Sequence, residues 1–312
     1  MATQVNAPVT TRNRWVRPLV PILGVLILGI LFLYIGSAIA TAQSSEATPL
    51  SGLTWVPYFL IGGFIAYVLA VAFGDGALWA IGTSQVVYSA VGAALYGVLS
   101  WATNVIQLPS VSLVSLRPAI VIPVFFGLAF GPSVGFFVGF VGNVLGDALT
   151  GWGVFPVWDL GNGLIGLVPG LLMAFRDRAR ATDVVLGIVA VVSILASVLL
   201  LANPTIVDTS GTTTNVSGSW WLPLLGLVLV AGLRFAFRNR PDLAAAQVWG
   251  ALGIIIGIGF AAMADIWWNG YTFTTAFLGE FVPAGASNLI NVAILLPILL
   301  SAWNAAQART GR

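Results

Sequence analysis

Apolar positions in this chain gather into long unbroken runs, without the strict alternation of strands or the one-sided stripe of a soluble helix. Ten runs stand out, at roughly 18–41, 55–74, 78–102, 117–131, 133–150, 159–175, 183–203, 220–238, 246–268 and 283–305. Most are long enough to cross about 30 Å of hydrocarbon as a helix. Short polar or Gly/Pro-containing connectors separate them. The pattern predicts an all-α polytopic membrane protein with about ten transmembrane helices.

One stretch breaks the rule that such runs stay apolar. Between Ser115 and Leu172 an arginine opens a run, Gly131-Pro132-Ser133 makes a tight turn, and a glycine-rich segment carries Asn143 and Asp147. A tryptophan-bearing loop follows, and Asp159 and Asn162 start the next run. Polar side chains at membrane depth cost several kcal/mol unless paired or wetted. This stretch therefore reads as the floor and wall of a binding site.

Composition narrows the chemistry. Hydrophobic residues make up 59% and charged residues 7% of the 312 residues. Histidine and cysteine are absent, which excludes disulfides, thiol nucleophiles, imidazole bases and zinc sites of the usual kind. All the positive charge is arginine. With the N-terminus in the cytoplasm, Arg12, Arg14, Arg17, Arg176, Arg178, Arg180, Arg234, Arg238, Arg240, Arg309 and Arg312 all fall on the cytoplasmic side, as the positive-inside rule asks. Only Arg117 is left outside, and an even span count makes both termini cytoplasmic. A rival reading of the start is a secretory signal ending at the small residues Ala38-Ile-Ala40-Thr-Ala42. Cleavage there leaves the orientation of every later span unchanged.

This topology sorts the polar residues. Asp75, Asp177, Asp183 and Asp242 fall among the cytoplasmic arginines, while Glu46, Asp147, Asp159, Asp208, Asp265 and Glu280 lie on the outer side. Asn143 and Asp147, four apart, share one helix face, as do Asp159 and Asn162. Trp152, Trp158, Trp267, Trp268 and Tyr271 lie at the same level and predict a polar, aromatic-lined outer cavity for a small planar solute. The competing readings are that the tryptophans form an interfacial belt and that Arg117 and an outer acid only neutralise each other. The pairs Gly135/Gly139, Gly142/Gly146, Gly166/Gly170 and Gly253/Gly257 read as close helix packing. Residues 204–219 read as a solvated connector.

These residues carry a resemblance. Arg117-Pro118, Gly127 through Gly131-Pro132, Gly135, Gly139, Asn143, Asp147, Gly161-Asn162-Gly and Ile165-Gly-Leu resemble the S component of energy-coupling factor (ECF) vitamin transporters. The resemblance implies a six-helix bundle in the inner membrane of a bacterium or archaeon, with both termini cytoplasmic and substrate held near the outer face. It implies a transmembrane coupling (T) subunit and two ATP-binding cassette subunits as partners, and a bundle that topples to deliver its cargo. It also implies a coupling-subunit surface of small alanines in the bundle's first helix, here Ala90 and Ala94 in span 78–102.

Ten spans exceed the six that such a bundle needs. The fit taken here puts the bundle in 77–180 and 242–312, with 1–76 an added tail and helix pair and 181–241 an inserted pair. An alternative uses spans three to eight and discards the polar cluster Asp265 to Asn291. Carried over residue by residue, the resemblance makes Arg117 an anion or carbonyl partner and Asn143, Asp147, Asp159 and Asn162 pocket groups. Trp152 and Trp158 become lid residues, and Asp265, Trp268, Tyr271, Asn288 and Asn291 come from the last two helices. No cofactor is called for, and the lack of histidine argues against a nickel or cobalt site. The substrate class implied is a heteroaromatic vitamin such as riboflavin or thiamine, or a precursor. A structural subunit of a larger membrane complex and a stand-alone secondary transporter remain alternatives. With no phosphate-binding GxxxxGK loop and no paired catalytic motif, an enzyme or a self-contained ATPase is not expected.

Overall fold

The computed structural model describes residues 15–47, 49–73, 76–108, 110–112, 114–208 and 210–310. Arg12, Arg14, Asp75 and Arg312, used above to orient the chain, lie outside the described residues. The helices are α1 (Leu19–Gln43), α2 (Val56–Phe73), α3 (Thr83–Thr103), α4 (Val121–Phe130), α5 (Pro132–Thr150) and α6 (Pro156–Gly170). They continue with α7 (Arg178–Ala202), α8 (Trp221–Ala236), α9 (Pro241–Trp268) and α10 (Phe273–Arg309). Among the described residues nine helical spans are long and apolar enough to cross a membrane, and Pro118–Phe130, which contains α4, is a shorter apolar tenth. The chain is a multi-pass helical membrane protein.

The helices divide into a buried centre and a lipid-facing periphery. The apolar windows of α5, the α6 span and α9 are 78%, 83% and 72% buried, against 17–33% for those of α1, α2, α3, α7, α8 and α10. The outward faces of the second group carry large apolar side chains such as Ile27, Phe64, Val91, Val191 and Val228. In water these would be liabilities; in hydrocarbon they meet a matching solvent. The centre is built in sequence: α3 packs on α5, α5 on α6, α6 on α9 and α9 on α10, with α4 filling the angle between α5 and α6. α1 lies against α5 and α2 against α6, while α7 and α8 pack on α9 and α10.

Glycine makes the centre possible, because helices in lipid associate by close packing. A methyl group at Gly135 or Gly139 of α5 would run into the carbonyl oxygens of Gly166 or Asn162 of α6. Gly161 and Gly257 face each other's backbone where α6 crosses α9, and Gly142 and Gly146 admit Tyr96 and Ser100 of α3. At the α4–α5 corner Gly131 has φ 105°, a conformation that side chains disfavour, and Pro132 starts the next helix. Asp177 caps α7 through the Arg180 N–H at 3.0 Å. At the same end Arg234 pairs with Asp183 at 2.8 Å, and Arg178 approaches Asp242 to 3.9 Å.

Two expectations are corrected. The last span starts at Phe273 rather than 283, because the helix runs on through a π turn, Phe277–Phe281. Pro283 has no N–H for the Gly279 carbonyl, and the Val111 N–H donates to it instead, at 3.2 Å. Second, 204–219 is not only a solvated connector. It contains an antiparallel hairpin, β1 (Thr205–Val207) with β2 (Thr213–Asn215), whose Ile206 is 3% exposed. The Thr275 hydroxyl donates to Val207 O at 2.7 Å, fastening the hairpin to the start of α10. Asp208 is half-buried at the hairpin turn; the Ser210 hydroxyl, followed by the Thr212 N–H, holds its carboxyl below the usual range.

Candidate functional site

At the end of the bundle away from the arginine clusters, α5, α6, α9 and α10 part to leave a cavity of about 340 Å³. Its wall is completed by a strap that brings Ser112, Val114, Ser115 and Arg117, and by Trp152, Val154 and Phe155 ahead of α6. The volume falls within the range of small-molecule sites. No residue of α1, α2, α7 or α8 reaches it.

The floor of the cavity is a closed hydrogen-bond network. Arg117, from the strap, donates Nη2 to Asp147 Oδ1 at 3.0 Å, Nη1 to Asn143 Oδ1 and Nε to Asn104 Oδ1 at 3.1 Å. Asn143 donates its amide to Asp147 Oδ2 at 2.8 Å and to Asp159 Oδ1 at 2.7 Å. The second oxygen of Asp159 accepts from the Phe155 N–H at 3.0 Å. The Tyr96 hydroxyl lies 2.8 Å from Asn162 Oδ1 and 3.3 Å from Asn143 Oδ1, and the Asn162 amide donates to Trp158 O at 2.9 Å. Each carboxylate oxygen here has a donor, as burial in apolar surroundings demands.

The opposite wall differs. The Trp158 indole donates to Asp265 Oδ2 at 2.8 Å, tying α6 to α9. Glu280 sits on the π turn facing Asp265 and Ser112, is 0% exposed, and neither of its oxygens has a hydrogen-bond partner among the described residues. Trp152, Trp158 and Trp268 supply aromatic faces, and Asn269 and Asn288 add amides. Tyr271 stands outside the cavity, its hydroxyl 3.5 Å from Val111 O. Burial, then the neighbouring charges of Glu280 and Asp265, push its phenol up to about 12.

The structure thus brings together Arg117, Asn143, Asp147, Trp152, Trp158, Asn162, Asp265, Trp268 and Asn288 around one space. Three expected pocket residues are placed differently. Asp159 lies beneath the wall and supports Asn143. Tyr271 stands beside the cavity, and Asn291 lies one turn beyond Asn288, outside the lining, with its amide nitrogen unpaired among the described residues. Ala90 and Ala94 are exposed on the side of α3 opposite Tyr96. Trp267 points outward and is 70% exposed.

Sequence reasoning missed Tyr96, Asn104, Ser112, Ser115, Asn269 and Glu280. Tyr96 carried a readable signal: its flanking Gly92, Ala93, Gly97 and Ser100 mark a small-residue face that can lie close to another helix. Glu280 was hidden by starting the last span at 283.

Comparison with known proteins bears on this arrangement. Residues 80–234 match the family described as ECF-type riboflavin transporter, S component. A UPF0397 protein of Vibrio atlanticus is 38% identical over 112 residues, 36% of this chain and 60% of the relative. UPF0397 proteins of Aliivibrio salmonicida and Aliivibrio fischeri are each 38% identical, over 98 residues (31% of this chain, 52% of the relative) and 91 residues (29% and 49%). The chain thus spans 49–60% of the length of these relatives. No solved structure matches significantly. The family match begins just before α3 and ends within α8, so α9 and α10, with their share of the cavity wall, lie beyond it.

Proposed function

The chain belongs to the S components of energy-coupling factor transporters, and from that premise we propose that it is a substrate-capturing membrane subunit. Its cargo is a small, planar heteroaromatic solute, a vitamin or vitamin precursor. The observation that carries this reading is the cavity itself, with a closed Arg117–Asn143–Asp147–Asn162 network on one side and three tryptophans around it. Rigid donors and acceptors fix the orientation of a polar edge, and indole faces bind the ring.

The binding bundle in this proposal is α3 to α6 with α9 and α10. Support comes from the wall: every lining residue belongs to these helices or their connections. α1 and α2 are an added pair and α7 and α8 an inserted one. Both additions have an even number of helices, so neither inverts the bundle, and both termini are cytoplasmic with the cavity opening to the outside. Import is driven by partner subunits, a transmembrane coupling subunit and two ATP-binding cassette subunits. The Ala90/Ala94 face of α3 is the docking surface. It is exposed, built of small side chains, and turned away from the cavity.

The test is mass spectrometry of small molecules released by denaturation from detergent-purified protein, as isolated and after incubation with a vitamin mixture. A stoichiometric heterocyclic metabolite supports capture and names the cargo. A cavity that stays empty in both preparations overturns the reading.

A further inference from the structure

Acidic side chains outnumber cations around one end of the cavity. Asp147, Asp159, Asp265 and Glu280 are all buried in or beneath the wall, and among the described residues that line it the one cation is the guanidinium of Arg117. That cation is committed to the floor, with donors on Asn104, Asn143 and Asp147. Asp147 and Asp159 have a donor on each oxygen. The other two acids do not share this provision. Asp265 accepts the indole N–H of Trp158, and neither oxygen of Glu280 makes a hydrogen bond among the described residues, though the two acids are 2% and 0% exposed.

This placement is built. Glu280 is carried by the π turn that Pro283 enforces, and the Val111 N–H holds that turn through the Gly279 carbonyl. Gly279 is also packed against Ile206 and Val111, so the turn is clamped from two sides. Trp158 holds the partner carboxyl from another helix. Burying a carboxylate without donors costs several kcal/mol unless it holds a proton or meets a cation, and a cation in the cavity would meet both acids at once. A divalent metal is a poor occupant, because no cluster of three or more His, Cys, Asp or Glu forms among the described residues. Trp152, Trp158 and Trp268 offer π faces in the same space, and such faces favour organic cations.

We propose that the Asp265–Glu280 end of the cavity receives a positively charged nitrogen group, so that the substrate is a planar organic cation, not a neutral ring system. This rests on reading the cavity as the substrate site. The ring lies among the tryptophans, its cationic end meets Asp265 and Glu280, and its polar edge meets the Arg117 floor.

Two measurements on the full chain in detergent test it. First, wild type and Glu280→Gln are incubated with an equimolar mixture of cationic and neutral heterocycles, including thiamine and riboflavin, and the retained molecules are identified by mass spectrometry. Retention of a cation by the wild type, reduced at least tenfold by Glu280→Gln, is expected. Retention of a neutral ring, undiminished in the variant, overturns the charge assignment and leaves capture standing. Retention of nothing by the wild type overturns both. Second, thermal unfolding of ligand-free protein needs no knowledge of the cargo. Glu280→Gln is expected to be at least as stable as the wild type, since it removes a charge without a protein partner. A clear loss of stability would show that Glu280 serves the fold, and would overturn the proposal even if binding were also lost.

Discussion

Replacing Asp147 with leucine leaves the guanidinium of Arg117 buried with no anion to neutralise it. The two groups are 3.0 Å apart, and their side chains are 12% and 5% exposed. At an effective dielectric of about 20, unit charges at that separation attract by about 5–6 kcal/mol. Desolvation offsets much of this, so the pair as a whole adds little net stability, yet removing one partner alone costs about 3–5 kcal/mol. Arg117→Met with Asp147→Leu removes both charges and refills the space, and is expected to recover to within about 1–2 kcal/mol of the wild type. With Arg117→Met alone and Asp147→Leu alone each costing about 3–5 kcal/mol, the coupling between the two sites is about 4–9 kcal/mol. Thermal or denaturant unfolding of the wild type, these two single variants and the double one in one detergent gives the cycle, and ligand titration runs alongside. Binding is expected to fail in all three variants, including the stable double one. If Asp147→Leu unfolds with the wild-type midpoint, or if the double variant binds normally, the pair is neither the charge balance nor the floor of the site.

Three further outcomes are expected. Gly139→Val puts a branched side chain against the Asn162 carbonyl and should abolish monodisperse protein on size exclusion, whereas Gly187→Val, at a position with open space, should not. Ala90→Trp with Ala94→Trp should prevent co-purification of the coupling subunit while leaving ligand affinity unchanged; normal co-purification would remove this face from the assembly. Deleting 181–240 should leave a folded binder of reduced stability. The side chains of Arg178 and Asp242, near the two ends to be joined, approach to 3.9 Å, so a short linker is used, but the deletion uncovers the faces of α9 and α10 that α7 and α8 cover. Loss of the bundle would place the pair within the core.

Legibility differed by kind of residue. Arg117, Asn143 and Asp147 could be read as a site because polar groups in apolar runs are rare and expensive, and i to i+4 spacing puts the last two on one face. The glycine pairs could be read because lipid offers helices little reason to associate except close packing. Glu280 was taken for an outer acid near a span end, since neither the π turn nor the rerouting of the Gly279 carbonyl to Val111 follows from local pattern. Asn291 shows the reverse failure. It shares a helix side with Asn288 but, one turn further along, lies past the end of the cavity.

By itself the sequence determined the solvent of this protein, the number and order of its helices, and the stretch in which polar groups concentrate. All three depend on properties summed over a run of residues, which no distant contact can reverse. Only the tertiary structure decided which acids are balanced. Asp159 and Asp265 look alike in sequence, yet Asn143 and Phe155 supply both oxygens of the first, while the second has the Trp158 indole and, beside it, a glutamate without a hydrogen bond among the described residues. Charge balance in a low-dielectric interior is set by groups within about 4–6 Å, and here they come from different helices.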